Sequence, residues 1–136
     1  MRGTFLVSQA VLKGMIERRV GRIVCISSIS AQRGAAPSPR SPTALPKEAS
    51  SASPGSGREV GEHGVTVNCV APGPIDTDIM GGTLTEERKS EMSQGIMMGR
   101  VGTREEVAAL MSFLLGADAG YITAATYDIN GGLQVS

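Results

Sequence analysis

Val65-Thr-Val-Asn-Cys-Val-Ala-Pro-Gly-Pro-Ile-Asp-Thr77 is the stretch that decides the fold. Val65 to Val70 is a β-branched, largely apolar run of strand length, and Ala71-Pro-Gly-Pro74 stops it, because its two prolines remove backbone donors. Upstream, Arg22 to Ile26 is a second short run of this kind, emptying into the small polar cluster Ser27-Ser-Ile-Ser30. Before it, residues 4 to 19 carry Phe5, Leu6, Ala10, Val11, Leu12, Met15 and Ile16 as an apolar helical stripe. Arg18 and Arg19 end that helix, where cations suit the negative end of the dipole. Met1-Arg-Gly3 offers no capping residue, so the helical pattern begins as if already under way and a segment is expected upstream.

Downstream of Thr77 the period changes. Thr85 with Glu86 and Glu87 can start one helix, and Thr103 with Glu106 three residues on forms a capping box ahead of Val107, Leu110, Met111, Leu114 and Leu115. Tyr121-Ile-Thr123 and Ala125 to Ile129 read as a last strand closed by Asn130-Gly-Gly132. Strand and helix alternate with few hairpin signals, which predicts an α/β fold with a mainly parallel sheet and helices on both faces. Ligands of such sheets bind outside the carboxyl ends of the strands, so the residues that follow each strand are the candidates for chemistry.

Composition narrows the function classes. With 136 residues, 40% of them hydrophobic, the chain fits one domain or part of one. Thirteen basic and thirteen acidic residues cancel without a block of like charge, so nucleic acid is not an expected partner. No apolar run approaches 18 residues and no leader pattern is present, so neither a membrane span nor a secretory signal is expected, and a cytoplasmic location is the default. Cys25 and Cys69 each sit inside an apolar run, which suits small buried thiols rather than a disulfide or metal pair. His63, the only histidine, lies in the polar turn Gly61-Glu-His-Gly64 and reads as a solvated loop residue.

One segment breaks the pattern. Residues 37 to 58 hold five of the seven prolines and six serines, with Leu45 their only large apolar side chain. Prolines this dense exclude an interior helix or a central strand, so the segment is expected to be irregular and surface-exposed.

The flanks of that segment resemble the short-chain dehydrogenase/reductase family, nearest the classical 3-oxoacyl-[acyl carrier protein] reductase-like and sugar or alcohol dehydrogenase-like members. The resemblance rests on Gly21-Arg-Ile-Val-Cys-Ile-Ser-Ser28, Val67-Asn-Cys-Val-Ala-Pro-Gly73 with Thr77, Gly99-Arg-Val-Gly-Thr-Arg-Glu-Glu-Val-Ala108, and Tyr121-Ile-Thr123 with Asn130-Gly-Gly132. It covers residues 1 to 36 and 59 to 136, and it implies the C-terminal half of a Rossmann-type doubly wound parallel sheet. It further implies an oxidoreductase that interconverts a carbonyl and a secondary alcohol with NAD or NADP, assembled as a homodimer or homotetramer. Ser28 would hydrogen-bond the substrate oxygen, with Ser27 a structural neighbour. Pro72 and Gly73 would shape the loop beneath the nicotinamide, the Ile75 backbone would meet the carboxamide, and the Thr77 hydroxyl would reach the carboxamide or pyrophosphate. Ala124 stands where the family commonly has glycine and Asn130 where it commonly has aspartate.

Two departures are larger. The family's glycine-rich phosphate loop has no counterpart here; Gly55-Ser-Gly57 follows no strand and opens no helix. The Tyr-x-x-x-Lys pair, whose Tyr moves the substrate proton while the Lys lowers its pKa, should fall at positions 42 and 46, and both are proline. Reading the last base of each codon with the first two of the next, Pro42-Thr43 can give Tyr and Pro46-Lys47 can give Lys. The junctions between them allow Ser-Ala-Ser, and Lys47 through Gly55 can spell Gly-Gly-Ile-Ile-Gly-Leu-Thr-Arg, the family's usual continuation. The reading expected from these junctions is a frameshift entering near 35 to 41 and corrected near 58 to 60, from a sequencing error or in a pseudogene. The chain as written is then expected to be inactive, and the rival expectation is a non-catalytic fragment that only associates with intact family subunits.

Overall fold

The structure, a computed structural model, describes residues 2–29, 59–78 and 84–134. Three parallel strands, β1 (Gly21–Ile26), β2 (Val65–Pro72) and β3 (Thr126–Ile129), lie in the order β1-β2-β3. The helices that lie wholly among the described residues are α1 (Arg2–Arg18), α2 (Glu86–Ser93) and α3 (Arg104–Leu115), with single 3-10 turns at Gly61–His63 and Ala117–Ala119. The anomalous segment 37–58 lies outside the described residues, as does Ser30.

Register fixes which side chains share a face. Gly21 pairs with Val65, Ile23 with Val67 and Cys25 with Cys69. Because successive strand residues point to opposite faces, these six occupy one side. Val65 and Val67 there join Val60 in a buried cluster, against which Leu12, Met15 and Ile16 of α1 and Ile23 of β1 pack. On the other side Arg22 reaches α3: its Nε donates to the Gly116 carbonyl at 3.3 Å. There α3 packs on β1 and β2, with Leu114 fully buried. Burial of a side chain such as Leu114, Val65 or Val70 contributes roughly 1.5–3 kcal/mol. Parallel strands covered by helices on both faces are thus what the alternating sequence predicted.

Three details differ from expectation. First, α1 does not bury one stripe: Leu12, Met15 and Ile16 are covered while Leu6, Val7 and Val11 are exposed. Second, Pro72 does not stop β2, which pairs through it with Ile129. The Ser27 amide donates to the Val70 carbonyl, so even-numbered residues of β2 direct their backbone groups toward β1. β1 ends at the partner of Val70, so the donor that Pro72 lacks falls where that ladder finishes and costs little. Third, Tyr121 to Thr123 lies outside the last strand. The Asn68 amide donates to the Ile122 carbonyl (2.8 Å) while its oxygen accepts from the Ala125 amide (3.3 Å), and Thr123 Oγ1 accepts from the Val67 amide (3.1 Å). Those bonds hold 122–125 as an irregular approach to β3. Ala124 within it has φ 60°, the left-handed conformation that explains why glycine suits this position.

The helix ends follow their sequence signals. Thr85 caps α2, and Thr103 with Glu106 forms the capping box of α3 in both directions. At the end of α1 the Val20 amide reaches the Met15 carbonyl and the Arg19 amide the Ile16 carbonyl, a Schellman closure with Arg19 at φ 53°. Cys25 and Cys69 are free and buried, as the apolar runs implied. His63 is partly exposed beside Glu62 at the amino end of β2, roughly 25 Å along an eight-residue strand from the carboxyl ends.

Candidate functional site at the carboxyl ends of the strands

All three strands run the same way, so their carboxyl ends deliver Ser27-Ser28, Gly73 onward and Asn130 to one edge of the sheet. The in-register pair Ile26 and Val70, extended by two residues along each strand, places Ser28 abreast of Pro72. Ser28 is half-buried, whereas Ser27 is buried and its hydroxyl hydrogen-bonds Cys69, in keeping with a structural role.

Gly73 permits a close approach of backbone to backbone in the site. A methyl group there would sit 2.9 Å from both Cα and Cβ of Asn130, while the Gly73 amide donates to the Ile129 carbonyl at 3.0 Å. The glycine therefore reflects β3 passing against the loop, a stronger requirement than an ordinary turn imposes. Asn130 in turn accepts from the Gly132 amide at 2.9 Å and donates to the Gln134 carbonyl at 3.0 Å.

Beyond Gly73 the loop is pinned by the segment before α3. The Gly102 amide donates to the Pro74 carbonyl and the Asp76 amide to the Gly102 carbonyl, both at 2.9 Å, forming an isolated parallel bridge between Ile75 and Gly102. In such a bridge the central residue's own amide and carbonyl point the other way. Among the described residues, neither these Ile75 groups nor the Thr77 hydroxyl has a partner. One N–H and one C=O offered side by side match the two hydrogen-bonding groups of a carboxamide, so the residues present fit the nicotinamide end of the implied cofactor.

Residues that the sequence marked for helix capping or left unassigned hold this arrangement. Glu106 accepts from Arg100 through both oxygens (2.6 and 3.0 Å) and from the Thr103 amide (2.8 Å). The Arg100 guanidinium, with help from the Thr103 amide, holds the Glu106 carboxyl down at about 2. Lys89 of α2 pairs with Asp76 at 2.9 Å and with Glu86 at 3.2 Å, tying α2 to the loop, and the two carboxylates raise its pKa. A capping box was legible in Thr103-x-x-Glu106; the contact from Arg100, six residues away, and that between Lys89 and Asp76 follow no local spacing rule. A cavity of about 90 Å³ lies behind the loop among Ile75, Arg100, Glu106 and Asn130, well short of the roughly 300 Å³ at which ligand sites begin.

Tyr121 is exposed on a turn, Tyr127 lies within β3 opposite Val70, and neither has a lysine four residues on. No cluster of three or more metal-ligating side chains occurs among the described residues, and no described helix is long and apolar enough to cross a membrane.

Comparison with known proteins supplies a lineage. The family model described as enoyl-(acyl carrier protein) reductase matches residues 1–134. The chain is 38% identical over 130 residues to a 3-oxoacyl-[acyl-carrier-protein] reductase of Haemophilus influenzae, covering 96% of this chain and 53% of that protein. It is 40% identical over 127 residues to the protein of the same name in Chlamydia muridarum, covering 93% and 50%. Over 137 residues it is 36% identical to an uncharacterized short-chain type dehydrogenase/reductase of Sinorhizobium fredii, covering 99% and 54%. The chain spans about half the length of the curated relatives it matches.

Proposed function

The chain belongs to the short-chain dehydrogenase/reductase family, and from that premise we propose that it carries the substrate-serine and nicotinamide-loop part of an NAD(P)-dependent carbonyl reductase site. The observation that carries this is the pairing, at one sheet edge, of Ser28 with a pinned loop whose Ile75 amide and carbonyl are left without partners. The bound nicotinamide would supply or accept the hydride. Ser28 hydrogen-bonds the carbonyl or alcohol oxygen and orients it, and the Ile75 backbone holds the carboxamide. Thr77 adds a hydroxyl, and Pro72-Gly73 brings the loop close under β3. The names of the relatives favour a 3-oxoacyl thioester or similar small ketone as substrate. A cytoplasmic location and a homodimer or homotetramer belong to the same proposal, with the exposed Leu6, Val7 and Val11 of α1 as apolar surface to bury.

The 136 residues alone are expected to be inactive, because they contain neither a Tyr-x-x-x-Lys pair nor a glycine-rich phosphate loop. Calorimetric titration of the chain with NADH and NADPH should give no micromolar binding. Pro42→Tyr, Thr43→Ser, Leu45→Ser and Pro46→Lys would return a general acid worth roughly 10²- to 10⁴-fold, but positioning of the reactants can be worth roughly 7–11 kcal/mol. Only that repaired chain, joined to an upstream half with the phosphate loop, should reduce a ketone with NADPH, and Ser28→Ala should then cut the rate sharply. Turnover by the repaired chain on its own would overturn this division of labour.

A second reading, a non-catalytic fragment that docks on intact subunits, is favoured by the outer edge of β1. Odd-numbered residues of β1 face β2, so the amides and carbonyls of Arg22, Val24 and Ile26 face outward, and none has a partner among the described residues. An edge of this kind accepts a further strand.

A further inference from the structure

We propose that Cys25 and Cys69 form a two-thiol site for trivalent arsenic, a single arsenic atom bridging the two sulfurs across the β1–β2 ladder. Register creates the pair. The two residues are Cα partners on neighbouring parallel strands, both thiols are free, and only 7% and 3% of the residues' surface is exposed. In-register parallel partners put their side chains on the same face, with Cβ atoms about as far apart as the strands, roughly 4.8 Å. A direct disulfide needs Cβ atoms roughly 3.5–4.5 Å apart, so closing one would draw two paired strands together. An inserted atom spans the gap with both backbones in place.

Charge selects the inserted atom. Burial pushes both thiols up, and Cys25 pushes Cys69 further, against smaller opposing hydrogen bonds from Ser27 and the Val70 backbone. A soft monovalent cation held by two thiolates would leave a net negative charge in an apolar interior. Arsenous acid, As(OH)3, instead condenses with two neutral thiols. Two As–S bonds form, two As–O bonds break, the two thiol protons leave in two waters, and the arsenic stays trivalent. The resulting dithioarsenite, with one hydroxyl, is neutral. It would clamp the strands three residues short of Ser28 on one side and of Pro72 on the other.

The probe is arsenite alone. After incubation of the folded chain and removal of excess reagent, the intact mass should rise by one As–OH less two hydrogens, with a stoichiometry of one. The same incubation in concentrated urea should give far less adduct, because unfolding separates two cysteines that only register brings together. Cys25→Ala and Cys69→Ala, checked for folding by circular dichroism, should each abolish uptake; where either fails to fold, the comparison with urea decides. Absence of the adduct on the folded chain, equal uptake in urea, or uptake retained by either folded variant would each overturn the proposal.

Discussion

Replacing Gly73 by alanine tests whether the candidate site is built by direct contact between β2 and β3. The added methyl would stand 2.9 Å from Asn130 Cα and 2.9 Å from its Cβ, where ordinary contact begins at 3.4 Å, so each distance must open by about half an ångström. Asn130 has little freedom to move, since its side chain is bonded at both ends to Gly132 and Gln134, and the Gly73 amide is bonded to Ile129. The strain therefore separates the strands, and overpacking of this kind costs roughly 1–3 kcal/mol. For a domain of this size each kcal/mol lowers Tm by roughly 3–6 °C, so a drop of roughly 3–18 °C is expected. Thermal unfolding followed by circular dichroism measures it, with Gly61→Ala as the control because a methyl there meets nothing within 4 Å. A Gly73→Ala chain that melts with the wild type, or as little changed as the control, would refute the close-approach argument.

Ala124→Gly should stabilise the chain: at φ 60° the alanine carries roughly 1–2 kcal/mol of left-handed strain, partly offset by roughly 0.4–1 kcal/mol of extra freedom in the unfolded glycine chain. A urea midpoint that falls on this substitution would contradict the conformational reading. Glu106, held at about 2 by Arg100 and the Thr103 amide, has a folded pKa below its unfolded value. Its contribution is therefore present above about pH 4.5 and is lost as pH falls toward 2. The gap in urea midpoint between wild type and Glu106→Gln should accordingly be wide at pH 6 and narrower at pH 3, and an unchanged gap would show that ionic pairing is not what Glu106 contributes.

What could be read from the sequence was whatever depends on local period. The β-branched runs gave β1 and β2, Thr85 and the Thr103-Glu106 box gave the starts of α2 and α3, and alternation gave the parallel sheet. Boundaries set by partners were less legible. β2 continues through Pro72 because β1 has ended beside it, and Tyr121 to Thr123 misses β3 because Asn68 and Val67 hold the adjoining backbone in another shape. The exposed side of α1 was hidden for a related reason: apolar residues on two faces of a helix give one signal whether they meet a sheet or solvent. Ser28, Pro72, Gly73, Ile75 and Thr77 were named through family resemblance, and the structure supplies a physical reason for two of them: the Asn130 contact for Gly73 and the Gly102 bridge for Ile75.

That bridge connects motifs that look unrelated in sequence. Thr103 and Glu106 satisfy the first turn of α3, and Glu106 also draws in Arg100, so the segment from 100 to 103 is fixed to the helix at both ends. Gly102, in the middle, then takes the Pro74 carbonyl and the Asp76 amide, leaving Ile75 with its backbone groups turned outward. A methyl at Gly102 would lie 2.7 Å from Ile75 Cδ1, the far end of a side chain that can turn aside, and otherwise meets only ordinary contacts at 3.7 Å, so the bridge rests on its backbone bonds rather than on glycine at 102. An amide and carbonyl fixed before a ligand arrives spare it the entropy of ordering a loop. In the proposed site the Gly99 to Ala108 motif would therefore act without containing a reacting group: it sets the direction in which Ile75 presents its backbone.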